Sequence, residues 1–497
     1  MTEKTGSLGR QVGSAMRWNG AAGGATVLSQ FLQLIVLARW LSPAEFGLAA
    51  TAISIAGFAQ GLTDFGLTNA LVQRPQIESK AWASALWACL LGGTLLFVGL
   101  SLASPLCERL LALKGLAPLL CVAAFTLPWA GPSSVFQADL QRRLHFSRLA
   151  RAEIVAAIAS LCAALGWALW RREAMALVAG QVALISVRCI FLAFASPLRP
   201  APRLRFSDLR PLASFGGYQM GDRVLNYAAG NMDRLLVARL LGAAAAGYYT
   251  VASQIALRPL ALLTPFVFRT LFPVFARLQE EKERLAFSLI RTLSLLSLLS
   301  AGLYALLFGL AGPLSVFVLG TGWGPIVPVL RVLTGVGFLW AVSTPLASLT
   351  LALGRAGAGF WINALALAMN ATAVLIGSRY GIRGVAWGMV LSVLLSMPVD
   401  FVLAKRWIGI APGRLMWAMG WAVPMAVLAV LAMQTLYHPV LALGARNSRL
   451  HLGLELGLKG ILGCVVFAAA AWILQPQRVR DAVSEVRAKL PDRFQPK

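Results

Sequence analysis

Apolar stretches of about 20 residues, each long enough to cross a bilayer as a helix, recur along this chain from Gly20 to Leu474. The 497 residues are 58% hydrophobic and 13% charged, whereas a soluble domain carries about 25% charged residues. The segments between the stretches are too short to fold alone, and the longest is the tail over residues 475–497. The sequence therefore predicts an all-α, polytopic membrane protein without a separate catalytic domain.

Hydrophobic patterning places about fourteen membrane-spanning helices along the chain. Their predicted spans are 20–38, 47–72, 81–104, 112–137, 149–169, 174–196, 212–238, 245–276, 288–311, 324–349, 358–378, 383–404, 413–434 and 452–474. An even number of helices puts both termini on one side of the membrane. Lys and Arg are enriched in the segments on that side, so the positive-inside rule predicts that both termini are cytoplasmic.

An internal repeat relates the two halves of the chain. Residues 38–47 align with residues 238–247, and five of the ten positions are identical, including an Arg and a Gly. Six helices separate the copies, so the repeats share one orientation, as in transporters whose site lies between two lobes. We predict two six-helix lobes related by pseudo-two-fold symmetry, followed by two further helices. The predicted boundaries are 1–200 and 201–410 for the lobes, 411–474 for the two further helices and 475–497 for a cytoplasmic tail.

A polar stripe interrupts the seventh predicted helix. On a helix that advances about 100° per residue, six polar side chains fall within about 120° of one another. They are Gln219, Asp222, Arg223, Asn226, Asp233 and Arg234. A charge in the middle of a membrane helix costs about 2.5–3.5 kcal/mol, so four charges on one face cannot contact lipid. They must face a protein interior or a water-filled cavity.

The stripe has two interpretations. In the first it forms a cavity wall, where Arg223, Arg234 and Asn226 bind an anionic ligand while Asp222 and Asp233 hold the arginines or take up protons. In the second it is an ion-pair network that ties helices together. We take the cavity wall as the leading hypothesis.

Further candidates lie in two other helices. In the eighth predicted helix, Arg258 and Arg269 share a face. A guanidinium group can donate two parallel hydrogen bonds to phosphate oxygens, and it stays charged at any working pH. The alternative is that these arginines only extend to the membrane interface, as Arg269 can do because it lies near the cytoplasmic end. Asp64, in the second predicted helix, is a candidate for proton or sodium coupling, with a hydrogen-bonded structural Asp as the alternative.

Two basic segments, residues 139–153 and 197–211, each carry four arginines. They either attract anionic lipid headgroups or act only as topology signals. The formal net charge is +25, but the basic residues are scattered over short loops. This distribution fits membrane topology and an anionic substrate such as a phosphorylated lipid, and it excludes a nucleic-acid-binding module.

Several catalytic signatures are missing from the sequence. The six cysteines form no CxxC and the three histidines do not cluster, so we expect no metal site. The motifs GxxxxGK[ST], GxSxG and HExxH do not occur. We therefore expect a transporter rather than an enzyme, with no cofactor and no ATP site, driven by an ion gradient or by the substrate gradient.

Several motifs carry a family resemblance. They are RWLSPAEFG at 39–47, LTDFGLTNALVQ at 62–73, NMDRLLV at 231–237, GYYT at 247–250 and GIRGVAWG at 381–388. Over residues 17 to about 410 the chain resembles bacterial polysaccharide exporters of the Wzx type. These belong to the multidrug/oligosaccharidyl-lipid/polysaccharide exporter superfamily.

The resemblance implies two six-helix lobes in a V shape with two extra C-terminal helices. It implies a flippase of the bacterial inner membrane that moves undecaprenyl-pyrophosphate-linked oligosaccharides from the cytoplasmic to the periplasmic leaflet, for exopolysaccharide or O-antigen assembly. The polymerase and the chain-length regulator of the same pathway are the implied partners. The residues that match a cationic lumen are Arg223, Arg234 and Arg258.

One departure concerns the first helix. Peptidoglycan-precursor flippases carry arginines well inside it, whereas this chain has only Arg17 and Arg39 at its ends. This argues against lipid II as the substrate. Three rival functions remain: a multidrug exporter of the same superfamily, a membrane glycosyltransferase or polymerase, and a non-transporting scaffold for polymer assembly. The first would favour an acidic cavity, and the second needs a large loop with catalytic acids or a histidine.

Overall fold

The computed structural model describes residues 2–68, 71, 78–198, 201, 204–435 and 449–474. Side chains within these ranges are described except those of residues 2–17, 19, 21, 206, 208, 210–224, 226, 262, 265, 266, 269, 270, 356 and 449–451. All regular structure in the described ranges is helical. The chain forms two compact units, Met1–Thr250 and Val251–Lys497.

The first unit contains eight long or short helices in chain order. They are α1 (Thr2–Trp40), α2 (Pro43–Gln60), α3 (Ser79–Leu111), α4 (Leu116–Ala124), α5 (Leu127–Arg142), α6 (Phe146–Trp170), α7 (Met175–Ala195) and α8 (Phe206–Leu241). Helix α9 (Ala243–Arg277) begins in this unit and continues into the second.

The second unit continues with seven more helices. They are α10 (Lys282–Leu319), α11 (Ile326–Ala352), α12 (Ala356–Gly377), α13 (Gly381–Ile408), α14 (Pro412–Gly420), α15 (Val423–Thr435) and α16 (Arg449–Leu474). Short 3₁₀ turns at Thr321–Trp323 and Ser378–Tyr380 precede α11 and α13.

Helices overlap every predicted span, but two of the predicted helices are broken in the middle. The predicted span 112–137 divides into α4 and α5, and the span 413–434 divides into α14 and α15. In both cases a proline occupies the second position of the new helix, Pro128 in α5 and Pro424 in α15. Proline has no N–H to continue the preceding helix but is well tolerated in a first turn, so each break falls just before it.

The second helix ends earlier than predicted. Helix α2 stops at Gln60, and residues 61–66 form a turn, so placing Asp64 inside the helix was wrong. Phe65 and Gly66 have φ values of 48° and 69°. Two consecutive residues in the left-handed region cannot continue a right-handed helix.

Ten stretches of the described chain are long and apolar enough to cross a membrane, which makes this a multi-pass membrane protein. One of them, Gly357–Ile408, consists of α12 and α13 as an antiparallel hairpin. Its helices approach closely because glycines line the contact. A Cβ on Gly377 would lie 2.5 Å from the carbonyl oxygen of Gly384, and one on Gly388 would lie 2.6 Å from that of Ala373.

The two copies of the sequence repeat touch each other within the first unit. A Cβ on Gly47 in α2 would overlap with the carbonyl oxygen of Ala243, the first residue of α9. Conversely, a Cβ on Gly247 in α9 would overlap with the carbonyl oxygen of Pro43, the first residue of α2. The contact is therefore reciprocal between equivalent repeat positions, which is the pattern that a two-fold relation produces.

Substitution of either crossing glycine should destabilise the protein. Gly47→Ala and Gly247→Ala each place a methyl group against a backbone carbonyl that cannot rotate away, so we expect a loss of about 1–3 kcal/mol. Gly99→Ala is the matched control because nothing lies within 4 Å of its added Cβ. Thermal unfolding of the detergent-purified protein measures the difference, and equal melting temperatures for Gly47→Ala and Gly99→Ala would contradict the contact.

Candidate functional site

The structure describes only the C-terminal part of the predicted polar stripe at side-chain level. Helix α8 is continuous through the whole stripe. The side chains of four predicted site residues on it lie outside the described residues, namely Gln219, Asp222, Arg223 and Asn226. The side chain of Arg269 on α9 lies outside them as well. The described candidates are Asp233 and Arg234 on α8, Arg258 on α9 and Asp64 after α2.

Arg234 is held by a neutral partner rather than by an acid. Its Nη1 donates a hydrogen bond to the side-chain oxygen of Asn231 over 3.2 Å, and the side-chain Nδ2 of Asn231 donates to the backbone carbonyl oxygen of Tyr227 over 3.0 Å. The Nε of Arg234 is buried and finds no hydrogen-bond partner among the described residues. The guanidinium is thus positioned but not neutralised within the described chain, which leaves it able to bind an anion.

Asp233 has one partner and one open oxygen. The hydroxyl of Tyr249 on α9 donates a hydrogen bond to its Oδ2 over 2.8 Å. The other oxygen, Oδ1, is buried and has no donor among the described residues. A buried carboxylate oxygen without a donor is costly unless it binds a cation or a proton, so the geometry suits an ion-coupling residue.

Tyr227 fixes the position of α8 against α2. A Cβ on Gly57 would overlap with the hydroxyl of Tyr227, and the Tyr227 ring meets the Phe58 ring edge to face at 6.5 Å. Because Tyr227 also accepts the hydrogen bond from Asn231 through its carbonyl, the packing of this one residue helps set where Arg234 points.

Asp64 lies in the turn after α2 and is only 3% exposed. Its Oδ1 accepts a hydrogen bond from the backbone N–H of Gly66 over 3.1 Å, an Asx turn that supports the left-handed residues there. The turn packs closely on α5, since a Cβ on Gly131 would lie 2.7 Å from the carbonyl oxygen of Thr63. Asp64 therefore has a structural role in this turn, and its ion-coupling role stays a prediction.

Arg258 lies on α9 in the second unit and is partly buried. The sequence reasoning missed one further residue, Tyr249, as a partner of a candidate site residue. Tyr249 belongs to the GYYT motif, but its bond to Asp233 depends on how α9 packs on α8. Arg331 is a single arginine inside α11, and its guanidinium lies 5.6 Å from the centre of the Phe308 ring. From the sequence, this intramembrane arginine is predicted as a possible partner of Asp64.

Arginines of the first basic segment, residues 139–153, make hydrogen bonds and an ion pair within the protein. Arg142 donates to the carbonyl oxygen of Leu71 over 3.1 Å, and Arg148 donates to that of Ala195 over 2.7 Å. Arg143 pairs with the buried Asp139 at 2.8 Å, and Asp139 also accepts a hydrogen bond from Ser196. These arginines fasten helix ends within the first unit, which gives them a structural role that neither sequence alternative had included.

In the described part of the chain, no group of three or more His, Cys, Asp or Glu side chains is placed to hold a metal ion. The described candidates are instead guanidinium, carboxylate, amide and phenol groups on α8 and α9 and in the turn after α2. Such groups can bind an anion and exchange a cation or a proton.

Sequence comparison identifies relatives that share most of the chain. A family model described as "Polysaccharide biosynthesis protein" matches residues 36–328. The lipopolysaccharide biosynthesis protein WzxC of Escherichia coli K12 is 29% identical over 407 residues, which cover 81% of this chain and 83% of that protein. The succinoglycan biosynthesis transport protein ExoT of Rhizobium meliloti 1021 is 28% identical over 388 residues, 76% of each protein.

Solved structures of transporters share the fold. The lipid II flippase MurJ in an inward closed conformation superposes with a TM-score of 0.70 at 11% identity, covering 92% of this chain and 99% of that chain. An inward-facing MATE family multidrug resistance transporter of the MOP superfamily gives a TM-score of 0.65 at 15% identity, covering 77% and 94%. At these identities the likeness establishes the fold and leaves the substrate open.

The Tyr249–Asp233 hydrogen bond gives a testable prediction. Tyr249→Phe removes the one described donor to the partly buried carboxylate of Asp233, so it should destabilise the protein by about 1–3 kcal/mol. Tyr380→Phe is the control, because that side chain is 78% exposed. In an Asp233→Asn background the loss should shrink, since the buried group is then neutral. An unchanged melting temperature in Tyr249→Phe would argue against the bond.

Proposed function

Because the chain belongs to the polysaccharide biosynthesis protein family, we propose that it is a flippase for lipid-linked oligosaccharides. It moves undecaprenyl-pyrophosphate-linked repeat units from the cytoplasmic to the periplasmic leaflet of the bacterial inner membrane, for exopolysaccharide or O-antigen assembly. Relatives that span most of its length are named for lipopolysaccharide biosynthesis and for succinoglycan transport. The observation that carries the proposal is Arg234, a guanidinium on α8 that has no acidic partner among the described residues.

The proposed architecture has about fourteen membrane-spanning helices. It comprises two six-helix lobes, residues 1–200 and 201–410, and two further helices in 411–474, with both termini cytoplasmic. The reciprocal contact between Gly47 and Gly247 supports a two-fold relation between the lobes. Rocking of two such lobes would expose the substrate passage first to one face of the membrane and then to the other.

The chemistry follows from the arginines. A pyrophosphate carries several negative oxygens, and guanidinium forks bind such oxygens through paired, charge-assisted hydrogen bonds. Arg234 would bind the pyrophosphate together with Arg223 and Arg258, with Asn226 and Arg269 as further contacts. The sugars would occupy the hydrated passage. The pathway's polymerase and chain-length regulator would receive the product on the periplasmic side.

Acidic residues supply the coupling. Asp233 has one open, buried oxygen and is the leading residue for proton or cation exchange. Asp222 and Asp64 are the other candidates, and Asp64 would combine coupling with its structural bond to Gly66. No observation favours a multidrug exporter or a glycosyltransferase, because the MATE likeness concerns the fold and the relatives are polysaccharide biosynthesis proteins.

Replacement of Arg234 tests the proposal directly. Arg234→Ala should reduce polymer export in cells by at least about tenfold, because one charge-assisted contact to the pyrophosphate is lost. Arg234→Lys should restore export only in part, since an ammonium group cannot form the paired fork. Export is measured as surface polymer at equal levels of membrane-inserted protein.

Arg379→Ala is the matched control, since that arginine is exposed in the 3₁₀ turn before α13. Full export by Arg234→Ala would contradict the assignment. The purified protein in proteoliposomes should also move a labelled lipid-linked glycan between leaflets, and failure to do so without other proteins would reject the flippase function itself.

Charge-neutral variants test the coupling. Asp233→Asn and Asp64→Asn retain an oxygen that accepts the observed hydrogen bond but remove the charge. We expect at least one of them to abolish the acceleration of glycan movement by an imposed proton or sodium gradient, while folded protein is retained. If both variants respond to the gradients as the natural protein does, these carboxylates are not coupling residues.

A further inference from the structure

A pocket of about 600 Å³ lies in the second unit, away from the polar stripe on α8 in sequence and built from other helices. Residues of α10, α11, α13 and α15 line it. Its lining includes Phe308, Arg331, Gly335, Trp387, Val427 and Leu431. We call it the Arg331 pocket. Its volume lies in the range of small-molecule sites.

The pocket is open at the outer surface of the helices. Trp387, Val427 and Leu431 at its edge are 63%, 50% and 53% exposed. In a multi-pass membrane protein, large apolar side chains with this exposure face lipid chains. The pocket is therefore accessible from the bilayer, and lipid is the material that would fill it.

Arg331 is the charged residue in the pocket lining. Its guanidinium lies on the Phe308 ring, and its Nε is buried without a hydrogen-bond partner in the described chain. No described acidic residue pairs with it. A guanidinium at this depth gains strongly from an anion because the surroundings are apolar. The pocket thus combines an apolar wall with one unneutralised positive charge.

The depth of the pocket matches one leaflet. On α11 the lining runs from Pro328 to Phe338, about 15 Å along the helix axis, which is half of a hydrocarbon core of about 30 Å. Arg331 lies about 8 Å from the start of α11, and Trp387 lies near the start of α13 at the same end. A tryptophan near the end of a membrane helix is typical of the interface.

We propose that the Arg331 pocket binds an anionic phospholipid. The headgroup phosphate would contact the Arg331 guanidinium, and one acyl chain would lie along Gly335 and Val427 towards Phe338. In the orientation proposed above this is the periplasmic leaflet. An anionic headgroup is favoured over a zwitterionic one. Its phosphate balances the arginine charge, whereas a zwitterionic headgroup also brings its own positive group into the pocket.

A second, uncharged pocket makes it possible to distinguish a bound acyl chain from a longer isoprenoid chain. This pocket of about 480 Å³ meets the first at Phe338 and Val423 and extends to Gly420. A chain confined to one leaflet would stop near Phe338, whereas a polyprenyl chain would continue into the second pocket. The two glycines, Gly335 and Gly420, each have open space around an added Cβ, so a leucine at either one fills its own pocket.

The experiment is native mass spectrometry of the full-length protein titrated with phosphatidylglycerol or with phosphatidylethanolamine. We expect phosphatidylglycerol to bind more tightly, and Arg331→Gln to weaken it at least about tenfold, to the level of phosphatidylethanolamine. Arg331→Lys should keep most of the preference, and Arg379→Gln should change nothing. Gly335→Leu should remove the binding of both lipids, and Gly420→Leu should leave it intact.

Three results would overturn the proposal. The first is equal lipid binding by Arg331→Gln and Arg379→Gln. The second is normal binding by Gly335→Leu, which keeps the arginine and so tests the pocket even if Arg331→Gln fails to fold. The third is equal loss in Gly420→Leu and Gly335→Leu, which would show that the bound lipid chain extends past Phe338 into the second pocket and is not confined to one leaflet. None of these results bears on flipping by the residues of the α8 stripe.

Discussion

The hydrocarbon interior offers no partner to a polar group, and the rest of this structure follows from that constraint. Backbone N–H and C=O groups must be satisfied within each segment, so the described chain is helical. Polar side chains must find partners in the protein or in water. Asp64 finds one in its own turn, Asp233 in Tyr249 and Arg234 in Asn231. For Asp233 and Arg234, the partner leaves Oδ1 and Nε without a hydrogen bond among the described residues, and the proposed transport of a charged lipid would use these two groups.

Close helix packing substitutes for the hydrophobic effect, which cannot drive one apolar helix onto another in lipid. In this protein, glycines allow close helix packing in two settings. In the α12–α13 hairpin they bring neighbouring helices together, and at Gly47 and Gly247 they bring the two copies of the repeat together. The second contact is reciprocal, so whatever favours it in one copy favours it in the other. A symmetric, tightly packed crossing suits the rocking of two lobes that we propose for this protein.

Two arginines illustrate how surroundings decide what a charge can do. Arg234 lies among amide, carboxylate and phenol groups and is held through Asn231, as a group that meets a hydrated ligand would be. Arg331 lies against an aromatic ring in an apolar pocket that opens to lipid. The first setting fits a passage and the second fits a bound lipid, although the two side chains are chemically identical.

Much of the architecture was predictable because hydrophobic length and charge are local properties. The membrane class and the helix spans came from such patterns. The resemblance to Wzx-type exporters came from short sequence motifs, and it is confirmed by the family match and by the relatives. The sequence prediction missed the helix breaks at Phe125 and Trp421, although a proline lies three residues after each break. The end of α2 at Gln60 depends on two left-handed residues, one of them a phenylalanine that no turn rule favours.

What only the tertiary structure decided is which distant groups meet. Sequence placed Arg142 and Arg148 in a basic segment, but their bonds to carbonyl oxygens depend on where Leu71 and Ala195 come to lie. The sequence predicted Asp233 as a site residue but not its hydrogen bond with Tyr249. It also aligned Gly47 with Gly247 but did not show that the two helices touch there. The amino-acid pattern by itself determined how the chain enters a membrane, because burial in lipid is judged segment by segment. Contacts between segments depend on the shapes of several helices at once, and no single stretch of sequence contains that information.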